Sequence, residues 1–246
     1  MTHPFEVRKE IELEATPEEV WEAIATGPGV DAWFMGRNEI EPHEGGKVRT
    51  TMPGFTMEST VTVWDPPRRF ATRTEEGDDG AFMAFEYLIE GRGGGTTILR
   101  FVHSGFLAGD DWEQEYEGLK TGDPAYLQKL AEYLIYFRGR VAVPVSAYGP
   151  RVERDRAWSV FRDALGLSGQ IGEGDSARAS LEGLPPFNGV IDFVSDDFLG
   201  VRTDDAMYRF IHGFDGTVVV GHHIFSDVDQ EATERAWQSW LERTFA

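Results

Sequence analysis

The stretch that most constrains this chain is Gly94–Phe106 together with the apolar stripe that follows it. Thr97, Leu99, Phe101 and His103 fall on one face by period-two alternation, the pattern of a half-buried strand. Further on, Asp123 reads as an N-cap with Pro124 at the first helical position. Leu127, Leu130, Ala131, Leu134 and Ile135 then form one helical stripe, which Phe137 widens, so the spacing predicts a helix from Asp123 to about Arg138. The residues between, from Asp110-Asp111-Trp112 to Glu115-Tyr116-Glu117-Gly118-Leu119, read as a polar connection. A strand followed by a long amphipathic helix points to a helix lying across a concave sheet, with room for a pocket between them.

The segments before it fit that picture. Phe5, Val7, Ile11 and Leu13 share one face of an opening strand whose other face is charged. Thr16, Pro17 and Glu19 spell a helix start with a capping box, and Val20, Trp21 and Ile24 face inward until Gly27-Pro28-Gly29. A short second helix is expected from Val30 to Phe34. Turn residues then separate strands at Lys47–Met52, Phe55–Trp64, Arg68–Thr74 and Ala81–Ile89. Strand, two helices, about six antiparallel strands and a long helix make an α+β meander.

After Arg140 the order recurs in shorter form. Val141–Ser146 is a strand, Val152–Leu165 a helix, and short strands follow at 175–181, 189–195, 198–203 and 206–212. Asp215–Phe225 parallels Gly94–Phe106, and Gln230–Thr244 closes the copy as a helix. Two tandem domains are expected, residues 1–140 and 141–246.

Composition narrows the partners. A net charge of −20, spread over both halves of the 246 residues, repels phosphate backbones and argues against nucleic acid. There is no apolar run long enough for a membrane span and no secretory signal, so a cytoplasmic protein without membrane insertion is expected. The absence of cysteine removes thiolate chemistry and cysteine-ligated metals. His222 and His223 are adjacent on a strand and point to opposite faces, so they do not share an ion. No metal and no cofactor are expected.

Residues 5–138 resemble the START-like (SRPBCC) superfamily, in the branch similar to heat-shock-protein-90 ATPase activator homologues. The resemblance is carried by Ala15–Ile24, Ala32-Trp33-Phe34, Val63–Phe70, Thr97–Leu99, His103-Ser104-Gly105-Phe106 and Tyr116–Leu119, in that order. It implies a helix-grip fold, an antiparallel sheet wrapped around a long C-terminal helix with a cavity between them. It also implies binding of lipids, polyketides, aromatic compounds or other apolar ligands, catalysis in some members, and a bacterial source. The second copy departs from the pattern: it lacks the Trp-Asp-Pro-Pro turn and has Ile224 in the place of His103.

His103 is the candidate polar group of the first cavity, as a ligand partner, an acid or base, or a core histidine satisfied by its neighbours. Trp33, Phe34, Phe55, Met57, Met83, Phe85, Tyr87, Phe106, Trp112 and Tyr116 are the candidate walls, although core packing asks for the same residue types. The leading expectation is a binding module for a small, mostly apolar or aromatic ligand, without catalysis and with a homodimer possible. An enzyme of the cyclase, dehydratase or hydrolase kind using His103 is the alternative. A chaperone-activator-like interaction domain, which predicts a filled cavity, is a third.

Overall fold

The computed structural model describes residues 2–246, and all counts that follow refer to them. The chain divides into two compact units between Val141 and Ala142. The first begins with β1 (Thr2–Leu13), α1 (Pro17–Ala25) and α2 (Gly27–Val30). Six strands follow: β2 (Arg37–Ile40), β3 (Lys47–Met52), β4 (Phe55–Asp65), β5 (Arg69–Thr74), β6 (Phe82–Arg92) and β7 (Thr96–Ala108). The closing helix is α3 (Trp112–Tyr136). The strands make one antiparallel sheet in the order β1-β7-β6-β5-β4-β3-β2, a meander to which β1 returns beside the last strand. That pairing runs from Thr2 opposite Ala108 to Leu13 opposite Thr97 and sets Val7 beside His103.

The start of α1 follows from its capping box. Glu19 N–H donates to Thr16 Oγ1 at 3.3 Å and Thr16 N–H donates to Glu19 Oε2 at 2.8 Å, which satisfies two amides the helix leaves open. Glu19 also accepts from Arg138 Nη1 at 2.6 Å, tying α1 to the chain just beyond α3. The second helix is not the expected Val30–Phe34 segment. Gly27-Pro28-Gly29 forms α2 itself, because Thr26 Oγ1 accepts from Gly29 N–H at 3.1 Å and Pro28 suits a first turn. Gly27 is required by proximity: a Cβ there would lie 2.4 Å from the Asn38 carbonyl oxygen of β2.

The closing helix also differs from expectation. It begins at Trp112, so the supposed polar connection is its first three turns and Pro124 lies inside it. Trp112, Tyr116 and Leu119 have helical spacing, and the first two dock on β1: Trp112 stacks on His3 with centroids 4.1 Å apart, and Tyr116 OH donates to the Glu6 carbonyl at 3.4 Å. That docking outweighs the helix-breaking tendency of Gly118, Gly122 and Pro124.

The second unit comprises β8 (Val143–Arg151), α4 (Arg154–Ala164), β9 (Ser176–Ala179), β10 (Phe187–Val194), β11 (Phe198–Arg202), β12 (Ala206–His212), β13 (Thr217–Ile224) and α5 (Gln230–Phe245). Its antiparallel order, β8-β13-β12-β11-β10-β9, repeats the winding of the first sheet with one strand fewer. The chain is therefore an α+β protein with the helix-grip arrangement in tandem. Phe210 of β12 contacts Phe161 of α4 and Trp237 of α5 at 5.4 and 5.9 Å, so large rings fill the core of this unit. Arg209 donates to both Asp192 oxygens at 3.0 and 2.8 Å, a buried bidentate pair that crosses β11 at Gly200. A Cβ on Gly200 would sit 2.3 Å from Asp192 Oδ1, so only glycine leaves the bridge its path. No described helix is long and apolar enough to cross a membrane.

Candidate functional site

A cavity that opens to solvent lies in the first unit, with about 560 Å³ of empty space counted out to its mouth. Its floor is built from direct cross-strand pairs. Ile40, Val48, Ser59 and Thr74 form one row across β2 to β5, and Asn38, Thr50 and Met57 form the next. Thr72 opposite Phe85 and Phe70 opposite Tyr87 complete it. The roof is Ile24 of α1, Val30 of α2, and Trp33 and Phe34 from the turn that follows.

Roof and floor are locked together by polar bonds. Asp31 Oδ1 accepts from Asn38 N–H at 2.6 Å and from its side-chain amide at 3.1 Å, while Asp31 Oδ2 accepts from Arg37 Nη1 at 3.0 Å. Asn38 Oδ1 in turn accepts from Thr50 Oγ1 at 2.6 Å. Burial pushes the Asp31 carboxyl above its ordinary range and outweighs the opposing bonds from Asn38 and Arg37. Trp33 is pinned by its indole N–H, which donates to the Ala23 carbonyl at 2.9 Å. The roof is therefore held in one place before any ligand arrives.

Two groups give the site chemical character. The Tyr87 phenol is pushed well above its usual range by burial, with the charge of Asp123 adding to it, so it stays a neutral hydroxyl. His103, only 2% exposed, lies beside the cavity behind Phe85, on which it stacks at 4.1 Å. Its Nδ1 faces Asp123 of α3 at 3.0 and 3.3 Å, and its Nε2 is buried without a hydrogen-bond partner. Asp123 fixes the ring's orientation through Nδ1, and Nε2 is the nitrogen left to meet another group. Glu115, about two turns earlier on α3 than Asp123, is pushed up by its own burial, an effect that His103 opposes.

The closing helix supplies none of the lining residues of this cavity. That helix is drawn over β1 and β7 by Trp112, Tyr116 and Asp123, while α1 and α2 contribute Ile24 and Val30 to the roof of the cavity. Tyr126 of α3 packs on the lining ring Phe34, with centroids 4.9 Å apart.

Of the residues singled out in the sequence, Trp33, Phe34, Met57, Phe85 and Tyr87 line the cavity. Met83 shares the face of Phe85 but lies beyond the lining, where its N–H donates to Thr74 Oγ1 at 2.9 Å. Phe55 shares the face of Met57 but stands at the hairpin tip, 55% exposed. Phe106 is on the opposite face of β7 from His103, 38% exposed and packed on Phe82 at 5.5 Å. Trp112 and Tyr116 belong to the α3–β1 contact and not to a mouth. Sequence reading missed Asn38, Thr50, Ser59, Thr72 and Thr74, which parity within β3, β4 and β5 places inward as buried or half-buried polar residues.

Residues 14–135 match the family described as Activator of Hsp90 ATPase homolog 1-like protein. No protein of curated function matches the chain significantly. Among solved structures, protein BH1534 of Bacillus halodurans is 24% identical, with 55% of this chain and 99% of that one covered at a TM-score of 0.46. Protein MLL2253 of Mesorhizobium loti is 21% identical, covering 54% and 98% at a TM-score of 0.47. The di-domain ARO/CYC BexL is 12% identical, covering 96% and 93% at a TM-score of 0.49. Residues 14–135, within the first unit, therefore form a START-like domain of the Activator of Hsp90 ATPase homolog 1-like family.

Proposed function

We propose that the first unit binds a small, mostly apolar or aromatic ligand in the cavity under Trp33 and Phe34. The observation that carries this reading is the contrast between walls and floor. Ile24, Val30, Trp33, Phe34, Phe70 and Phe85 surround the space, while Ser59, Thr72 and Tyr87 bring hydroxyls to it. Apolar walls with a few fixed polar groups favour burial of a ligand body and orient its polar end. The open space also favours ligand binding over an interaction domain, for which a filled cavity is expected.

Phenol is a suitable first probe, titrated while methyl signals are followed by NMR. Ile24, Val30, Ile40 and Met57 are expected to shift with a common dissociation constant, while Ile191 and Val220 of the second unit stay fixed. Thr72→Phe fills the space and is expected to abolish the shifts without unfolding the protein. Unmoved lining methyls at millimolar phenol would reject the reading.

A second reading has its own support. The Asp123 carboxylate on His103 Nδ1 is the arrangement that orients an imidazole as a base, the companion group that the sequence did not supply. An acid–base enzyme would lose turnover in His103→Gln and keep phenol binding; a binding module would lose neither its ligand nor any rate.

A further inference from the structure

We propose that this cavity selects a small organic cation, a substituted ammonium group, over neutral and anionic molecules of the same shape. The inference rests on the reading that the cavity binds a ligand, and adds the sign of the ligand's charge.

The first support is the walls. Trp33 and Phe34 above, with Phe70, Phe85 and Tyr87 below, bring five aromatic rings to one small space. Ring faces carry negative potential and attract a cation within about 6 Å of the centroid, most strongly where water is excluded. A substituted ammonium group suits such walls because its charge is spread over apolar methyl or methylene groups.

The second support is the charge inventory. None of the lining residues is Lys, Arg or His, and none is Asp or Glu, so an ion of either sign loses water without a countercharge and only the ring faces, which attract cations, offset that cost. Arg37, next to the lining residue Asn38, is engaged by Asp31 at 3.0 Å. Lys129 of α3 is directed to the Tyr126 ring, 5.9 Å from its centroid, and is not part of the lining.

The third support is Asp123. Its carboxylate faces His103 Nδ1 at 3.0 Å, and the His103 ring stacks on the lining ring of Phe85 at 4.1 Å, so a carboxylate lies directly behind an aromatic wall. A cation at that wall meets ring faces with a carboxylate behind them, and both favour a positive charge.

Three probes of one shape isolate the charge: choline, its uncharged carbon analogue 3,3-dimethylbutan-1-ol, and 3,3-dimethylbutanoate. The readout is the dissociation constant from lining-methyl shifts at constant ionic strength. Choline is expected to bind about tenfold tighter than the alcohol, with the carboxylate weakest. Phe70→Leu, which removes a ring and keeps an apolar wall, is expected to erase most of the preference while leaving alcohol binding within about twofold. Asp123→Asn is expected to reduce it by about threefold, a test independent of the wall. Equal or tighter binding of the alcohol would overturn the inference while leaving the cavity a ligand site. If phenol and all three probes leave the lining methyls unmoved, the ligand-binding reading fails, and this inference with it.

Discussion

Asp31 holds the roof of the cavity on its floor, and it does so as a carboxyl whose ionised form is disfavoured by burial. The folded protein thus keeps a proton on Asp31 to higher pH than the unfolded chain does. The unfolded state binds fewer protons through that window, so the contribution of Asp31 to stability is greatest at acidic pH and declines as pH rises through the folded value. In urea unfolding from about pH 4 to pH 8, the stability of the wild type relative to Asp31→Asn is expected to fall as pH rises. A difference that rises with pH would mean that the bonds from Asn38 and Arg37 outweigh burial. Side chains like this one show why the site was only partly legible. The sequence presents Trp33, Phe34, Met57, Phe85 and Tyr87 as aromatic or soft residues near predicted turns and strands, and these do line the cavity. It could not separate them from Phe106, because alternation along β7 needs the strand's inward side to be fixed beyond Gly105, and the motif joins His103 to Phe106 across three residues, an odd step. Nor could it pair His103 with Asp123, which are 20 residues apart and meet only when α3 crosses β7.

At the scale of elements, most strands of both units were legible because turn residues bound them and their apolar residues recur with period two. β12 spans Ala206–His212 as the alternation predicts. β2 escaped notice because a four-residue edge strand leaves too short a pattern. The start of α3 escaped for a different reason: Asp123-Pro124 is a strong local start signal, and tertiary docking overrides it. Pro124 consequently sits where it can donate no N–H to the carbonyl of Lys120, and its ring crowds the preceding turn. Pro124→Ala restores a donor and a good helix former. It is expected to stabilise the first unit by on the order of 1 kcal/mol, measured by urea unfolding, well under the full penalty of proline against alanine in free helices because the docked turns hold the helix already. Destabilisation by this substitution would show that the proline's shape is itself needed against the sheet. The variant leaves His103 and Asp123 in place, so unchanged NMR signals of the His103 ring, which Asp123 contacts at 3.0 Å, serve as the check that α3 keeps its position.

For the whole molecule the dominant quantity is charge: 43 acids against 23 bases. Many of the bases are spent on short surface contacts, such as Arg8 with Glu6 at 2.7 Å, Arg49 with Glu58 at 2.7 Å, and Arg100 with Glu10 and Glu90 at 2.8 Å. Added salt therefore acts in two opposing ways. It weakens these exposed pairs, each worth about 0–1 kcal/mol, and it screens repulsion among the unpaired acids. Distance decides which effect wins. The paired atoms are far closer than the Debye length, about 8 Å at physiological ionic strength, so their attraction survives moderate salt. Repulsion among the excess carboxylates is summed over longer separations and is screened first. The urea midpoint is expected to rise between about 20 and about 300 mM NaCl, and to rise equally in KCl, which separates screening from ion-specific effects. A falling midpoint would mean that the arginine pairs, and not the excess acidity, set the electrostatic balance. The same field bears on the cavity: a chain this acidic draws cations toward its surface from any direction, while the aromatic walls and Asp123 act only at short range. Salt should thus weaken choline binding modestly in the wild type and leave its preference over the alcohol largely intact. If the preference instead vanishes with salt, the net charge accounts for it and the five rings do not.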